Sequence, residues 1–173
     1  MALRCFAIIF GALGLVSAAA TADVGERWFA GIGAGHFDAD RDRTYLNSGS
    51  YAVFAGYTIN RYFTMEVTVD YVDTTRELNE EDTVSEFGAW GVSPAFTARW
   101  PLDEGFDIYA RLGATYLDYT MEDLALPRVQ GTAVQPMFGV GVGTRHLFVE
   151  YTNYGERNDM LLEQLRVGLR FRF

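Results

Sequence analysis

The sequence predicts an all-β protein, an eight-stranded antiparallel up-and-down transmembrane β-barrel, and three observations lead to this fold class. Eight segments alternate apolar and polar residues with a period of two, as strands with two different faces do. The links between these segments alternate between short and long, as in barrels with tight turns on one rim and long loops on the other. Aromatic residues lie at the ends of several apolar stripes, where they would form girdles at two lipid–water interfaces.

The amino terminus predicts a secretory signal peptide over residues 1–22. Arg4 precedes a short apolar run at 6–16, and small residues follow with an Ala-x-Ala pattern at Ala20 and Ala22, the expected cleavage signal. Cys5 would leave with this segment, so we expect no disulfide in the remaining chain. Residues 23–173 are then long enough for one domain, the barrel. The net charge of −9 argues against a nucleic acid partner.

The eight predicted strands occupy residues 28–37, 51–59, 63–71, 90–100, 106–116, 134–143, 147–152 and 165–173. The last strand shows the pattern most clearly, because five large hydrophobic residues alternate with three arginines and a glycine. Short turns are predicted at 60–62, 101–105 and 145–146. Longer polar links are predicted at 38–50, 73–85, 122–133 and 154–162. Pro94 and Pro136 remove ladder hydrogen bonds, so we expect them at bulges or strand ends.

The polar face of the strands carries both signs of charge and many glycines, which fits the narrow, filled interior of an eight-stranded barrel. The expected ion-pair candidates of this lumen are Glu66, Asp70, Arg99, Asp107, Arg111, Glu150, Arg166 and Arg170. Arginine suits such pairs because its planar fork binds carboxylates in two-point contacts. Two interpretations stay open: the pairs plug the lumen structurally, or they exchange partners and gate a narrow ion path.

Three motifs resemble the small outer-membrane β-barrels of the OmpA/OmpX-like family. The segments are WFAGIGAG at 28–35, EYTNYG at 150–155 and GLRFRF at 168–173. The resemblance implies an outer-membrane location in a Gram-negative cell, periplasmic termini and contact with lipid and lipopolysaccharide. It also implies that Phe171 and Phe173 form the signal read by the outer-membrane assembly machinery. Unlike full OmpA, the chain is expected to lack a peptidoglycan-binding domain after the barrel.

No constellation predicts catalysis, a cofactor or a metal. The segment 38–42 has alternating aspartates as in an EF-hand, but Arg43 and Gly49 stand where Gly and Glu are needed. An acidic loop tip formed by Glu77, Glu80, Glu81 and Asp82 is expected to be a solvated loop, with binding of divalent cations near lipopolysaccharide as the alternative. Barrels that deacylate lipid A carry a His and a Ser two residues apart on a late strand. Here Glu150 and Thr152 have that spacing without a histidine, and His36 and His146 lie elsewhere, so the base for acyl transfer is missing.

The sequence therefore predicts a monomeric outer-membrane barrel that serves envelope integrity or surface interaction. A small, low-conductance porin is the alternative. A soluble lipocalin-like ligand binder and a lipid A-modifying enzyme are the less favoured hypotheses.

Overall fold

The computed structural model describes residues 27–41, 44–78, 84–102, 105–123, 126–157 and 160–173. The predicted signal segment, with Ala20 and Ala22, lies outside the described residues, as does most of the acidic tip at 79–83. No helix among the described residues is long and apolar enough to cross a membrane. The strands are β1 (Trp28–Arg41), β2 (Thr44–Thr58), β3 (Phe63–Leu78), β4 (Val84–Pro101), β5 (Asp107–Asp123), β6 (Leu126–Gly143), β7 (Leu147–Arg157) and β8 (Met160–Arg172).

The strands form a closed barrel in which every neighbour is antiparallel. Closure is made by β1 and β8, which pair from Phe29 with Arg172 up to Arg41 with Met160. At the end of the barrel where the chain termini meet, the Trp28 amide donates to the Phe173 carbonyl, and the Phe173 amide donates to the Trp28 carbonyl. The predicted fold class is confirmed: an eight-stranded up-and-down barrel, with short turns joining β2–β3, β4–β5 and β6–β7.

The apolar face of the strands points out of the barrel. Phe171, Val67 and Ile108 expose 53%, 49% and 45% of their surface, whereas Arg170 and Glu66 expose 3% and 7%. A wall of exposed large hydrophobic side chains around a polar interior is the arrangement of a barrel whose outer surface meets lipid. The predicted orientation is therefore confirmed.

The strands are longer than the sequence predicts, and most of the four expected long links are strand. For example, 38–41 continues β1 and 44–50 begins β2. The sequence pattern does not reveal these segments because the polarity of the two strand faces inverts there. Apolar residues such as Phe37 and Leu162 point inward, whereas their polar neighbours His36 and Glu163 point outward. This inversion has a physical reason. Beyond the lipid-facing belt the outer face of the strands is in water, where polar side chains are favoured.

The expectation for the two prolines is wrong. Pro94 lies within β4 and Pro136 within β6, and neither is at a register shift. Each lies where its strand is paired on one side only. Pro94 has Val67 on β3 as a partner but none on β5, and Pro136 has Ala114 on β5 but none on β7. A missing N–H is tolerated where the ladder on that side is interrupted.

Candidate functional site in the barrel lumen

The middle of the lumen holds a buried network of two arginines and three carboxylates. Glu150 Oε1 accepts from Arg111 Nη1 at 2.8 Å and also from Arg166 Nη2. Arg111 Nε lies 3.1 Å from Glu66 Oε1, and Arg166 Nη1 donates to Asp70 Oδ1 at 3.2 Å. All five residues expose 7% or less of their surface. Glu150 therefore joins the two arginines, and each arginine has a further carboxylate of its own.

Hydroxyl groups complete this middle layer. Arg111 Nη2 donates to Thr68 Oγ1 at 2.6 Å, and the Thr152 hydroxyl donates to Glu150 Oε1 at 3.1 Å. These donors and acceptors matter because a charge removed from water is tolerated only when it is paired and hydrogen-bonded. The pairing comes from four strands, with Glu150 directly opposite Arg166 in the register of β7 and β8.

A glycine provides the space for Arg166. A Cβ atom at Gly33 would lie 2.7 Å from Arg166 Cδ and 2.9 Å from its Cγ, both tighter than normal contacts. The arginine stem therefore lies flat on the wall of β1 before its guanidinium reaches the network. The glycines that the sequence places on the inner face leave space for large side chains from neighbouring strands.

The layer between the network and the paired termini is aromatic and encloses Arg170. The guanidinium carbon of Arg170 lies 5.3 to 6.0 Å from the centroids of four rings. These rings belong to Phe148, Phe29, Tyr109 and Phe54. At such distances a cation is attracted to the negative face of the ring. The described residues place no carboxylate within ion-pair distance of Arg170, and its Nε and Nη1 have no hydrogen-bond partner. The expectation of an ion pair at Arg170 is therefore wrong.

Two of these rings lie between Arg166 and Arg170, both on β8. Phe54 and Phe148 meet edge to face with their centroids 5.4 Å apart. Arg166 approaches them at 5.9 and 5.7 Å, and Arg170 at 6.0 and 5.3 Å. The ring pair thus forms a partition across the lumen between the charged layer and Arg170. Nearer the rim that carries the short turns, Arg99 Nη1 donates to Asp107 Oδ2 at 2.9 Å, which accounts for the last two predicted ion-pair candidates.

The part of the lumen away from the termini is filled by an apolar cluster that the sequence patterns did not predict. Its buried members are Phe37, Ala39, Val72, Ala89, Ala95, Leu117, Tyr119, Ala133, Met137, Tyr154 and Leu162. The Tyr154 hydroxyl donates to Gln164 Oε1 at 2.8 Å, and Gln164 Nε2 donates to Ser50 Oγ at 3.0 Å, which ties this cluster to the polar layer. The inverted alternation of the upper strands was the signal that would have predicted it.

The lumen is therefore filled by three layers of side chains: apolar away from the termini, charged in the middle, and aromatic toward the termini and the short turns. In the part of the chain that the structure describes, no three His, Cys, Asp or Glu side chains are grouped to hold a metal ion. The described histidines lie away from the network, His36 on the outer face of β1 and His146 in the β6–β7 turn. Chemically, the carboxylates of this arrangement neutralise the two buried arginines of the middle layer.

A barrel with a lipid-facing apolar exterior and this filled interior belongs to the small outer-membrane β-barrels. The model of the OmpA-like transmembrane domain matches residues 22–148, and the chain belongs to this family. Its location is the cell outer membrane. Among curated proteins, no sequence matches the chain at a significant level.

Solved structures of similar fold include three small barrels. Neisserial surface protein A has a TM-score of 0.62 at 16% identity, and the match covers 84% of this chain and 97% of that one. Ail of Yersinia pestis, solved with the heparin analogue sucrose octasulfate, has a TM-score of 0.59 at 14% identity, covering 84% and 98%. The N-terminal barrel domain of Pseudomonas aeruginosa OprF gives 0.52 at 13% identity, covering 82% and 97%. At these identities the likeness concerns the fold alone.

Proposed function

We propose that this chain is a non-conducting barrel that contributes to the integrity of the outer membrane and carries strand hairpins at the cell surface. The observation that supports this role is the lumen filled in three layers. An apolar cluster and an aromatic partition lie on either side of the charged network, so the buried ion pairs act as a structural plug. This proposal includes a monomeric state, contact with lipid and lipopolysaccharide, and no nucleic acid partner.

Surface interaction is the second part of the proposal. Above the lipid-facing belt, the outward positions of the strands carry carboxylates, including Asp38, Asp118 and Glu163. Ail was solved with a sulfated, anionic ligand. The acidic outer positions here favour a cationic partner, or lipopolysaccharide phosphates bridged by divalent cations.

A complementation experiment tests the role. A strain deleted for the protein would be challenged with detergent and with a large antibiotic that the outer membrane excludes. We expect wild-type protein to restore resistance, and a variant with residues 79–83 and 158–159 replaced by Gly-Ser linkers to restore it equally. Failure of the wild type to restore resistance, at normal abundance in the outer membrane, would overturn the integrity role. Failure of the linker variant alone would assign the role to the surface hairpins.

The low-conductance porin remains the second candidate, because Glu150 binds two arginines at once and such pairs have alternative partners. Planar-bilayer recording of refolded protein decides between the two. Silence supports the plug, and a steady unitary conductance altered by Glu150→Ala or Arg166→Ala supports the pore.

We also propose that the chain has no enzymatic activity, since the described histidines lie far from Glu150 and Thr152 in the strand register. Release of acyl chains from lipid A by the purified protein would contradict this.

The closing strand supports a further proposal about assembly. Phe171 is exposed on the lipid-facing side of β8, and the Phe173 backbone pairs with Trp28 only once the barrel is closed. An unclosed β8 therefore offers both aromatic residues to the outer-membrane assembly machinery. Deleting Phe173 is expected to lower the folded amount in the outer membrane without changing unfolding of the barrels that do assemble.

A further inference from the structure

The apolar belt on the outside of the barrel is not equally tall on all sides. On β7 it consists of Leu147, Val149 and Tyr151, and the next outward residue is Asn153. On β1 it ends at Ala34, because His36 follows on the outer face. We call the lipid-facing surface of β7, β8 and β1 the short wall.

The opposite side, formed by β3 to β6 and called the tall wall, carries five or six outward apolar residues on each strand. On β4 these residues run from Trp100 up to Trp90, and on β6 from Val142 up to Val134. The lower ends of both walls lie next to the short turns or the paired termini, on the rim that the family resemblance places in the periplasm. The two walls therefore differ in where the belt ends toward the cell exterior.

The difference is large on the scale of a bilayer. A strand tilted by roughly 40° rises about 2.5 Å per residue along the membrane normal. The belt is then about 25 Å tall on β4 and about 20 Å on β6, close to the usual apolar band of such barrels. On β1 it is about 15 Å, on β8 also about 15 Å from Leu165 to Phe171, and on β7 about 10 Å.

The strand pairing independently points to the same boundary. The ladder between β6 and β7 ends at Phe138 and Asn153, although β6 continues upward along β5 as far as Leu126. Above this level β6 is paired on the β5 side alone. The ladder therefore ends at the same height as the apolar stripe of β7, whose last member is Tyr151.

The polar groups at this boundary form two hydrogen-bonded groups on the outer face, one around His36 and one around Glu163. The Asn47 amide contacts the His36 ring, the Tyr151 hydroxyl donates to Glu163, and Asn153 Nδ2 donates to Glu163 Oε1 at 3.2 Å. Asp38 Oδ1 lies 3.4 Å from His36 Nε2. Such groups need headgroups and water around them rather than acyl chains.

From these observations we infer that the short wall thins the outer leaflet, so that lipid headgroups descend along β7, β8 and β1 to His36, Asn153 and Glu163. The occupant of this surface is lipid. A second copy of the barrel fits less well, because a two-fold interface places the same patch on both partners. Asp38 and Glu163 would then face their own copies.

Reconstitution into vesicles of different thickness tests the inference. The variant Asn153→Leu/Glu163→Leu extends the apolar belt of the short wall upward. Asp118→Leu/Thr132→Leu is the matched control, because it replaces one carboxylate and one neutral polar residue above the tall wall. The midpoint of heat-induced unfolding would be followed by gel migration in dilauroyl, dimyristoyl and dipalmitoyl phosphatidylcholine. We expect the wild type to be most stable in the thinnest bilayer, and the short-wall variant to gain about 5 °C relative to wild type in the thickest. The control is expected to gain no such advantage.

Equal chain-length preference of the wild type and the short-wall variant would overturn the inference. A depth measurement protects the test against a variant that simply folds poorly. A fluorophore on Asn153→Cys is expected to be quenched by headgroup-labelled lipid, whereas one on Val134→Cys serves as the tall-wall reference and is quenched by chain-labelled lipid. Quenching of both positions by chain-labelled lipid alone would contradict thinning. Efficient cross-linking of Asn153→Cys between two barrels at high lipid dilution would replace lipid with a second copy.

Discussion

Two arginines on the inner face of β8, four residues apart, are buried in opposite ways. Arg166 exposes 2% of its surface and contacts two carboxylates, whereas Arg170 exposes 3% and is surrounded by four aromatic rings. The two arginines are equally buried but are stabilised differently: carboxylates neutralise Arg166, whereas the faces of aromatic rings attract Arg170. The stability of the charged layer therefore depends on complete pairing, since removal of one partner leaves the other as an unpaired buried charge. The aromatic layer has no such counter-ion to leave behind.

The largest effect is expected at Glu150, which holds both arginines of the charged layer. Glu150→Ala leaves Arg111 and Arg166 each short of a carboxylate, and we expect the free energy of unfolding to fall by about 3–5 kcal/mol. Urea unfolding of protein in lipid vesicles, followed by tryptophan fluorescence, measures this change. Glu156→Ala, at an exposed position of β7, is the control and is expected to change the value by less than about 0.5 kcal/mol. Equal effects of the two substitutions would show that the network contributes nothing to stability.

Replacing the two arginines in parallel sharpens the comparison. Arg166→Met leaves Asp70 and Glu150 with unbalanced buried charge, and a loss of about 3 kcal/mol is expected. Arg170→Met removes a cation that has no carboxylate and places a thioether among rings, so a loss of about 1 kcal/mol or less is expected. The same urea titration measures both. A larger loss at Arg170 than at Arg166 would reverse the assignment of the two layers.

A smaller effect is expected where the arginine stem crosses β1. Gly33→Ala places a methyl group against the Cγ and Cδ atoms of Arg166, and we expect a loss of about 1–2 kcal/mol from the displaced stem. Gly49→Ala is the matched control, because nothing lies within 4 Å of the added carbon there. In an Arg166→Ala background, which removes both the Cγ and Cδ atoms, the cost of Gly33→Ala should shrink, and a double-mutant cycle detects this coupling. Strict additivity would show that Gly33 and Arg166 do not constrain each other.

Much of the fold follows from the sequence because period-two alternation reports directly which side of a strand a residue occupies. Five apolar residues that alternate with arginines predict the strand β8. The aromatic girdles then indicate that its apolar face points toward lipid and its arginine face toward the lumen. The upper strand segments were missed for the same reason, since the alternation inverts where the wall meets water. His36 and Phe37 show this: a polar residue outside and an aromatic residue inside.

The lumen was less predictable, because alternation gives the face of a residue and not its neighbours across the barrel. Glu150 and Arg166 become partners through the register of β7 and β8, which no local pattern specifies. Arg170 was expected to pair with an acid because it shares a face with Arg166. Its four rings come from four other strands and were not foreseeable as a group.

Access of water to the charged layer is the most direct test of a sealed lumen. Thr68 is fully buried beside Arg111, and Gly49 is exposed on the outer face of β2. Thr68→Cys and Gly49→Cys would be compared in a Cys5→Ser background, with a small charged thiol reagent added to folded protein in vesicles. A sealed lumen predicts that Gly49→Cys reacts readily and that Thr68→Cys stays unmodified until the barrel is unfolded. Comparable reaction rates at the two positions would contradict the sealed lumen and favour a water-filled path.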